Sequence, residues 1–153
     1  MTIETPVGNL TLAEEDGFLT NIFFANEAPA VIPLSYSFFL EKAAAQIFEY
    51  FDGKRTEFDL PLKPSGGQFH KKVWDIMLEK VRFGATITYG ELASLAGNPK
   101  AARAVGSANN KNPIPIIIPC HRVLGKTGRL TGFRGGLDMK QQLLTHENQK
   151  FST

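Results

Sequence analysis

The sequence is poor in the residues that build disulfides and metal sites. It has one cysteine, Cys120, and three histidines among 153 residues. A single cysteine excludes an intramolecular disulfide, and this ligand set excludes a four-cysteine or Cys2His2 zinc site. We therefore predict no metal and no cofactor, and we expect a reducing compartment, the cytoplasm.

Long hydrophobic runs and targeting features are also missing. The longest uncharged apolar stretch, 28–40, is too short to span a bilayer and contains Pro29 and Pro33. The first residues carry Glu4 and no basic residue, which is not typical of a signal peptide. Hydrophobic residues make up 42% of the chain and charged residues 21%, a composition that indicates a globular protein without membrane association.

Acidic residues are absent from one long segment. No Asp or Glu occurs between Leu92 and Leu137, although this segment holds seven lysines and arginines. Residues 1–62 have a net charge of −7, and residues 63–153 have a net charge of +9. This asymmetry indicates that the second half faces a polyanion, with nucleic acid as the expected partner, and ordinary solvated surface is the alternative.

The first half predicts a small sheet with one helix. Apolar and polar side chains alternate over 7–12 and 18–24, and an acidic turn at 14–17 separates the two runs, which is typical of a β-hairpin. Apolar residues then recur at helical spacing over 40–51, and this helix is expected to end at Gly53.

The segment 54–67 predicts a short strand followed by a linker, because Pro and Gly cluster towards its end. The net charge changes sign at the same place. We therefore predict an α/β fold of two domains, 1–66 and 67–153. The second domain is expected to be mainly helical, with a first helix over 68–82 whose apolar stripe includes Trp74 as a core residue.

Two short helices joined by a tight turn are predicted next. Thr88 and Glu91 have the spacing of a capping box, so a helix is expected to begin directly after Thr88. Gly97 ends this helix, and Asn98 followed by Pro99 predicts that the second helix starts at once. Such a pair is typical of a helix-turn-helix.

The second of these helices, 99–109, consists mostly of small residues, with Arg103 among them. Close packing against a neighbouring helix explains some of the alanines, but they cover more than one face. A smooth exposed face with one arginine could lie in a DNA groove without reading the base sequence. Base reading needs Arg, Asn or Gln on that face, which argues against a sequence-specific regulator.

The segment 112–123 contains the candidate nucleophile. Three consecutive isoleucines predict a short buried strand, and Cys120 and His121 follow it. A thiol must ionise to act as a nucleophile, and a nearby imidazole can take its proton. Adjacent residues of an extended chain point to opposite sides, so this pair needs a turn or a bridging water.

Other interpretations of these residues exist. A lone buried cysteine is usually a small hydrophobe, but the dense cationic surroundings favour a reactive thiol. A cysteine hydrolase is one alternative, although it leaves the acid-free basic segment unexplained. A non-catalytic helix-turn-helix protein that binds DNA or senses lesions is the other.

The pentad 119–123 (PCHRV) resembles the active-site motif of the O6-alkylguanine-DNA alkyltransferases, the methylated-DNA–protein-cysteine methyltransferases. The run 97–106 is similar to the DNA-binding helix of that family, 112–115 to its asparagine loop, and 130–137 to its pocket loop. The motifs occur in order over about eighty residues, 68–147, so the resemblance is specific.

The resemblance implies a fold and an activity. The fold would be a small, ribonuclease H-like N-terminal sheet-and-helix domain followed by a mainly α-helical C-terminal domain with a helix-turn-helix. The activity would be direct-reversal DNA repair, in which O6-alkylguanine, and also O4-alkylthymine, is flipped out of duplex DNA. The alkyl group would pass irreversibly to the protein's own cysteine, with one turnover per molecule.

The resemblance also implies catalytic roles. Cys120 would be the nucleophile, His121 would act as its base through a water, and Glu147 would orient His121. Asn112 would hold the active-site loop by hydrogen bonds. Tyr89 would press on the phosphate of the target nucleotide and help to protonate the departing guanine.

DNA binding is implied in the same way. The helix would lie in the minor groove of double-stranded DNA, and Arg103 would fill the gap left by the flipped nucleotide. The protein would be a monomer in solution, with cooperative assembly on DNA left open. The other implied residues are Asn98, Ala101, Ala102 and Lys126 at the DNA, and Pro115, Phe133, Arg134 and Gly135 in the substrate pocket.

This chain departs from some relatives. Phe133 replaces a tyrosine, and Arg134 occupies a position where some relatives carry a small residue, which predicts a narrower pocket or a contact with DNA. Relatives with an N-terminal zinc site use cysteines that are missing here. The alkyltransferase-like proteins, which bind lesions without repairing them, carry another residue in place of Cys120.

Overall fold

The computed structural model describes residues 1–27, 29 and 37–148, and the chain divides into two compact units, 1–65 and 66–153. Most of the longest apolar stretch of the sequence lies outside the described residues. Within the described part of the chain, every helix is too short or too polar to cross a membrane.

The first unit contains a three-stranded antiparallel sheet in which the strands follow chain order, β1 (Thr2–Thr5), β2 (Gly8–Glu15) and β3 (Phe18–Phe24). The predicted hairpin of β2 and β3 is confirmed, and β1 is a strand that sequence analysis missed. Asp16 and Gly17 connect the hairpin with φ values of 51° and 81°. Both are left-handed, as an Asp-Gly hairpin turn requires.

The helix α1 (Phe38–Phe51) packs against β1 and β2, and it confirms the predicted helical spacing. The side chain of Ser37 caps it by accepting a hydrogen bond from the Leu40 amide at 3.1 Å. Gln46 is buried on this helix and bonds both backbone polar groups of Asp59. The apolar residues on the buried face are Leu40, Ala43, Ala44, Ile47 and Tyr50.

The strand predicted within 54–67 is reduced to a single bridge between Leu62 and Leu19. Leu19 donates its amide to the carbonyl of Pro61 and accepts a hydrogen bond from the amide of Lys63. Pro61 has no amide to donate, so the ladder cannot extend in that direction.

The second unit is mainly helical, as predicted. The helices α2 (Gln68–Lys80), α3 (Tyr89–Leu95) and α4 (Ala102–Asn110) pack against one another. A two-residue parallel pair, β4 (Ile87–Thr88) with β5 (Val123–Leu124), lies beside α3. Trp74 on α2 is 1% exposed and donates its indole N–H to the carbonyl of Ala108 on α4 at 2.8 Å, which confirms it as a core residue. The last helix of this unit is α5 (Leu137–His146).

The capping box at the start of α3 is confirmed, with reciprocal hydrogen bonds between Thr88 and Glu91. The predicted start of the second helix is wrong by three residues, since α4 begins at Ala102. The side chain of Asn98 accepts a hydrogen bond from the amide of Lys100 at 3.0 Å and closes a turn there. Asn98 therefore belongs to the connection between the two helices and does not cap α4.

Candidate active site

Cys120 follows a tight turn, and the strand predicted over the three isoleucines is wrong. The amide of Ile118 donates to the carbonyl of Ile114 at 2.9 Å, so the chain reverses instead of extending. Ile116 sits in this turn with a φ of 75°. Such a φ in a β-branched residue costs about 1–3 kcal/mol and must be compensated by the surroundings.

Asn112 provides that compensation. It is fully buried, and its side-chain amide donates to the carbonyl of Ile118 at 2.8 Å while its oxygen accepts from the amide of Ile114 at 2.9 Å. These two bonds replace the backbone partners that a strand would have had. Burial raises the pKa of the Cys120 thiol and hydrogen bonding from Asn112 opposes that rise, so the residue that holds the turn also favours ionisation of the sulfur.

A 3-10 turn over Cys120–Arg122 supplies the change of direction that the adjacent cysteine and histidine require. Cys120 is 4% exposed. Burial raises the pKa of its thiol, and the hydrogen bond from Asn112 and the positive charges of Arg134 and Lys140 oppose that rise. The sulfur is therefore nearly enclosed, and the hydrogen bond and positive charges around it partly offset the free-energy cost of ionising it.

His121 and Glu147 form a fully buried pair, with Nε2 of the histidine 2.7 Å from Oε2 of the carboxylate. Glu147 directly follows α5. Arg122 donates two hydrogen bonds to the same carboxylate. Its Nε lies 2.7 Å from Oε1 and its Nη2 lies 3.1 Å from Oε2. The Nη1 of Arg122 donates to the carbonyl of Val81 at 2.8 Å, so this carboxylate is held on both oxygens by oriented donors.

The protonation states follow from these contacts. Burial would raise the pKa of Glu147, but the hydrogen bonds from His121 and Arg122 and the charge of Arg122 hold it well below its ordinary range. Burial lowers the pKa of His121, so its ring is neutral at neutral pH. Its Nε2 then donates to the carboxylate, and Nδ1 carries the lone pair. No described residue hydrogen-bonds to Nδ1, so this atom is available to take a proton.

These shifts predict a pH dependence of folding. Unfolded His121 binds a proton below its ordinary pKa of 6.5 and folded His121 does not, so stability should fall as the pH drops below that value. Unfolded Glu147 is protonated below about pH 4.5 while the folded residue stays ionised, so stability should fall further below that pH. Each contributes a slope of up to about 1.4 kcal/mol per pH unit.

Urea unfolding at a series of pH values from 7 to 4 measures both losses. A His121→Gln variant should lack the loss that begins near pH 6.5 and keep the one at lower pH. Equal unfolding free energies for the wild-type protein at pH 7 and pH 5 would contradict a neutral, buried His121.

Two domain models of one family match nearly the whole chain. Residues 1–64 match the model described as 6-O-methylguanine DNA methyltransferase, ribonuclease-like domain, and residues 68–149 match the DNA binding domain of the same description. The chain belongs to the 6-O-methylguanine DNA methyltransferase family. The resemblance found in the sequence is confirmed, as is a mixed α/β architecture of two domains.

Relatives in this family are similar over almost their full length. A methylated-DNA–protein-cysteine methyltransferase of Methanosarcina acetivorans is 45% identical, and the match covers 94% of each chain. The constitutive enzyme of Bacillus subtilis is 41% identical over 95% of this chain and 93% of its own. A Mycobacterium tuberculosis OGT, solved in complex with DNA, has a TM-score of 0.86 and 43% identity, covering 95% of this chain and 90% of that one.

The residues predicted at the DNA lie on α4, in the turn before it, and in a separate loop. Arg103 is exposed on α4 and has no hydrogen bond or ion pair with any described residue. Ala101 and Ala102 are half-buried at the start of this helix, and Asn98 is exposed in the turn. Lys126 is exposed in a short 3-10 turn after β5.

Arg134, predicted to narrow the pocket or contact DNA, binds the protein itself. Its Nη1 donates to the carbonyls of Asn110 and Asn112, each at 2.8 Å. Asn110 is the last residue of α4, so Arg134 links the loop before α5 to the end of that helix and to the turn that positions Cys120.

The remaining residues predicted for the pocket lie in the loop before α5 and in the turn held by Asn112. A Cβ on Gly135 would come 2.6 Å from the sulfur of Met139 and 2.9 Å from the ring of Phe133, so the loop packs closely there. Pro115 is buried in the turn held by Asn112. Tyr89, at the start of α3, is half-buried, and its hydroxyl accepts a hydrogen bond from Thr131 at 3.3 Å.

Sequence analysis missed Arg122 and Lys140 as parts of this methyltransferase site. Arg122 binds the Glu147 carboxylate, and Lys140 is fully buried on α5. The sequence held a signal for Lys140, because Lys140 and Glu147 share the helical stripe of the buried residues Leu143 and Leu144. Arg122 could have been found as the partner that a buried Glu147 needs. A lysine and a glutamate on such a stripe indicate buried charges that need specific partners.

Proposed function

We propose that this chain repairs alkylated DNA by taking the alkyl group of O6-alkylguanine onto Cys120. As a member of the family it is a DNA repair alkyltransferase, a methylated-DNA–protein-cysteine methyltransferase. The observation that carries the assignment to Cys120 is the pair beside it. His121 is neutral, its Nε2 is bound to Glu147, and its Nδ1 has no hydrogen-bond partner among the described residues and can accept a proton.

The reaction is a single displacement at carbon. The thiol proton leaves Cys120 and passes, through a water, to Nδ1 of His121. The sulfur forms a bond to the alkyl carbon as the bond from that carbon to O6 of guanine breaks, and the guanine takes up a proton as it leaves. The product is a thioether, which water does not hydrolyse, so each molecule reacts once and no cofactor is needed.

The neighbouring residues have supporting roles in this proposal. Glu147 keeps the imidazole in the tautomer with the proton on Nε2, and Asn112 holds the loop that carries the sulfur. Tyr89 protonates the departing guanine and presses on the phosphate of the target nucleotide. Its half-buried position at the start of α3 and its bond to Thr131 are consistent with a hydroxyl held at the edge of the pocket.

Double-stranded DNA is the proposed partner, bound by α3 and α4 as a helix-turn-helix. The structure of the M. tuberculosis OGT with DNA supports this partner. The small side chains of α4 suit a close approach in the minor groove. Arg103 is exposed and has no hydrogen bond or ion pair with the described residues, which suits a side chain that replaces a flipped base. Asn98, Ala101, Ala102 and Lys126 then lie at the phosphates, so affinity should fall as salt rises.

The other parts of the proposal concern scope and organisation. Residues 67–153 act as the DNA-binding and alkyl-acceptor domain, and residues 1–66 form a ribonuclease H-like supporting domain. The protein acts as a monomer, and O4-alkylthymine is a second substrate because it presents an alkyl group on a similarly placed ring oxygen. Pro115, Phe133, Arg134 and Gly135 line or support the pocket that receives the base.

Mass spectrometry tests the reaction directly. Incubation with a duplex oligonucleotide that contains O6-methylguanine should add about 14 Da, one CH2, to the peptide that carries Cys120. The increment should stop at one per molecule, and a Cys120→Ser variant should show none. An unmodified Cys120 peptide from folded protein that still binds the duplex would instead favour a lesion-sensing protein.

A further inference from the structure

The loop before α5 carries a threonine whose hydroxyl meets that of Tyr89. Thr131 donates its hydroxyl hydrogen to the phenol oxygen of Tyr89 at 3.3 Å, across 42 residues of sequence. This is the only side-chain hydrogen bond of Tyr89 with a residue that the structure describes. Hydrogen bonds of catalytic groups are often long before the substrate binds and tighten in the complex. Thr131 can therefore set the direction of the Tyr89 hydroxyl.

The backbone of Thr131 is tied to the strand pair next to Tyr89. Its carbonyl accepts a hydrogen bond from Nζ of Lys140 at 3.1 Å, and the same Nζ donates to the carbonyl of Val123 at 2.7 Å. Val123 pairs with Ile87 in the parallel ladder of β5 and β4, and Tyr89 directly follows β4. One connected set of hydrogen bonds thus fixes the backbone of Thr131 relative to that of Tyr89.

The side chain of Thr131 is oriented by its contact with Gly125. A Cβ added to Gly125 would lie 2.7 Å from the methyl carbon of Thr131, closer than Cβ atoms in proteins approach other atoms. Gly125 has a φ of −69° and a ψ of 172°, which any residue can adopt, so space and not backbone conformation requires a glycine here. Because the methyl group is fixed against Gly125, the χ1 angle of Thr131 is fixed as well, and its hydroxyl points to Tyr89.

The bond from Thr131 decides what the Tyr89 hydroxyl can do. The phenol oxygen accepts from Thr131, so its own hydrogen points elsewhere and can be donated to a bound base. When Tyr89 gives that proton to a ring nitrogen of the departing guanine, the electron pair of the O–H bond stays on the phenol oxygen. Thr131 stabilises this negative charge, because a hydrogen bond to an ionised acceptor is roughly twice as strong as one to a neutral acceptor. The phenolate then takes a proton from water and His121 releases the thiol proton to water, so the protons balance.

We infer that Thr131 is a positioning residue that makes the Tyr89 hydroxyl an oriented proton donor for the departing guanine. This inference rests on the proposed function, in which Tyr89 supplies that proton. It goes further, because the Thr131 hydroxyl acts only through Tyr89 and only while a base is leaving. Affinity for DNA and ionisation of Cys120 should therefore not depend on it.

A double-mutant cycle at Thr131 and Tyr89 tests the inference. Thr131→Val keeps the shape of the side chain and removes its hydroxyl, and we expect it to slow repair of O6-methylguanine at saturating duplex about tenfold. The duplex concentration that gives half of the maximal rate should not change. In a Tyr89→Phe background Thr131→Val should cause no further loss, since the two hydroxyls act as a unit. Thr131→Ser, which keeps the hydroxyl, should retain most of the wild-type rate.

Gly125→Ala tests the orientation without removing any hydroxyl. The new methyl group should push Thr131 away from Tyr89 and slow repair to a similar extent. Adding Thr131→Ser removes the methyl carbon that the new side chain meets, so the double variant should repair faster than Gly125→Ala alone. Thr20→Val is the matched control, because it removes a half-buried hydroxyl that donates to the carbonyl of Ala13 in the first unit at 3.2 Å, and it should leave the repair rate unchanged.

Alkylation by iodoacetamide separates this role from a structural one. Cys120 is the only cysteine, and iodide leaves without taking up a proton, so Thr131→Val should react with iodoacetamide at the wild-type rate. Equal slowing with iodoacetamide and with O6-methylguanine DNA, or equal slowing in the wild-type and Tyr89→Phe backgrounds, would overturn the inference.

The same measurements distinguish this inference from the proposed function. A wild-type protein that repairs O6-methylguanine and loses nothing in Thr131→Val would refute the inference alone. An unchanged rate in Tyr89→Phe would refute the proposed role of Tyr89 and the inference with it. A wild-type protein that moves no methyl group to Cys120 would refute the proposed function itself.

Discussion

Glu147→Gln should lower the free energy of unfolding by about 3–5 kcal/mol and slow alkyl transfer about 100-fold. The carboxylate accepts hydrogen bonds from Arg122 and His121, and all three side chains are buried. An uncharged amide leaves the Arg122 cation without its counter-charge. It also turns an N–H group towards Nε2 of His121 or towards Arg122, so one favourable contact becomes a clash of donors.

Urea unfolding at pH 7 measures the first effect, and the rate with free O6-benzylguanine measures the second without a contribution from DNA. Asp138→Asn makes the same chemical change in the exposed first turn of α5, and it should alter stability by only a few tenths of a kcal/mol. If folded Glu147→Gln protein reacts at the wild-type rate across the pH range, Glu147 has no part in the mechanism.

Arg103→Ala should slow repair of O6-methylguanine in duplex DNA about 100-fold and leave the reaction with free O6-benzylguanine nearly unchanged. Rotating a nucleotide out of the helix costs a few kcal/mol, and a side chain that fills the gap offsets part of that cost. About 2.8 kcal/mol of lost compensation corresponds to a factor of 100 in rate. The free base requires no extrusion, so it does not depend on Arg103.

Lys100→Ala is the matched control, since Lys100 is an exposed cation just before α4. A phosphate contact should weaken binding in a salt-dependent way, and saturating duplex should restore its rate. The Arg103→Ala defect should persist at saturation. Equal slowing with duplex and free base, or full recovery at saturation, is incompatible with a role of Arg103 in filling the gap.

Local patterns in the sequence predicted the elements whose stability is local. The hairpin around Asp16 and Gly17 follows from alternation and turn chemistry, and α3 follows from the Thr88 capping box. The isoleucine run was misjudged because its conformation depends on Asn112. That side chain hydrogen-bonds to the amide of Ile114 and to the carbonyl of Ile118. The turn is therefore more stable than the strand that β-branched residues favour.

The identity of the reacting sulfur was determined by the sequence alone, since the chain has one cysteine and places it in a family motif beside His121. The charge state of that sulfur was decided by tertiary structure. Glu147 lies 26 residues from His121 along the chain, and Lys140 and Arg134 are also distant from Cys120 in sequence. Ionisation depends on burial and on the charges within a few ångströms, and only the folded chain brings these groups that close.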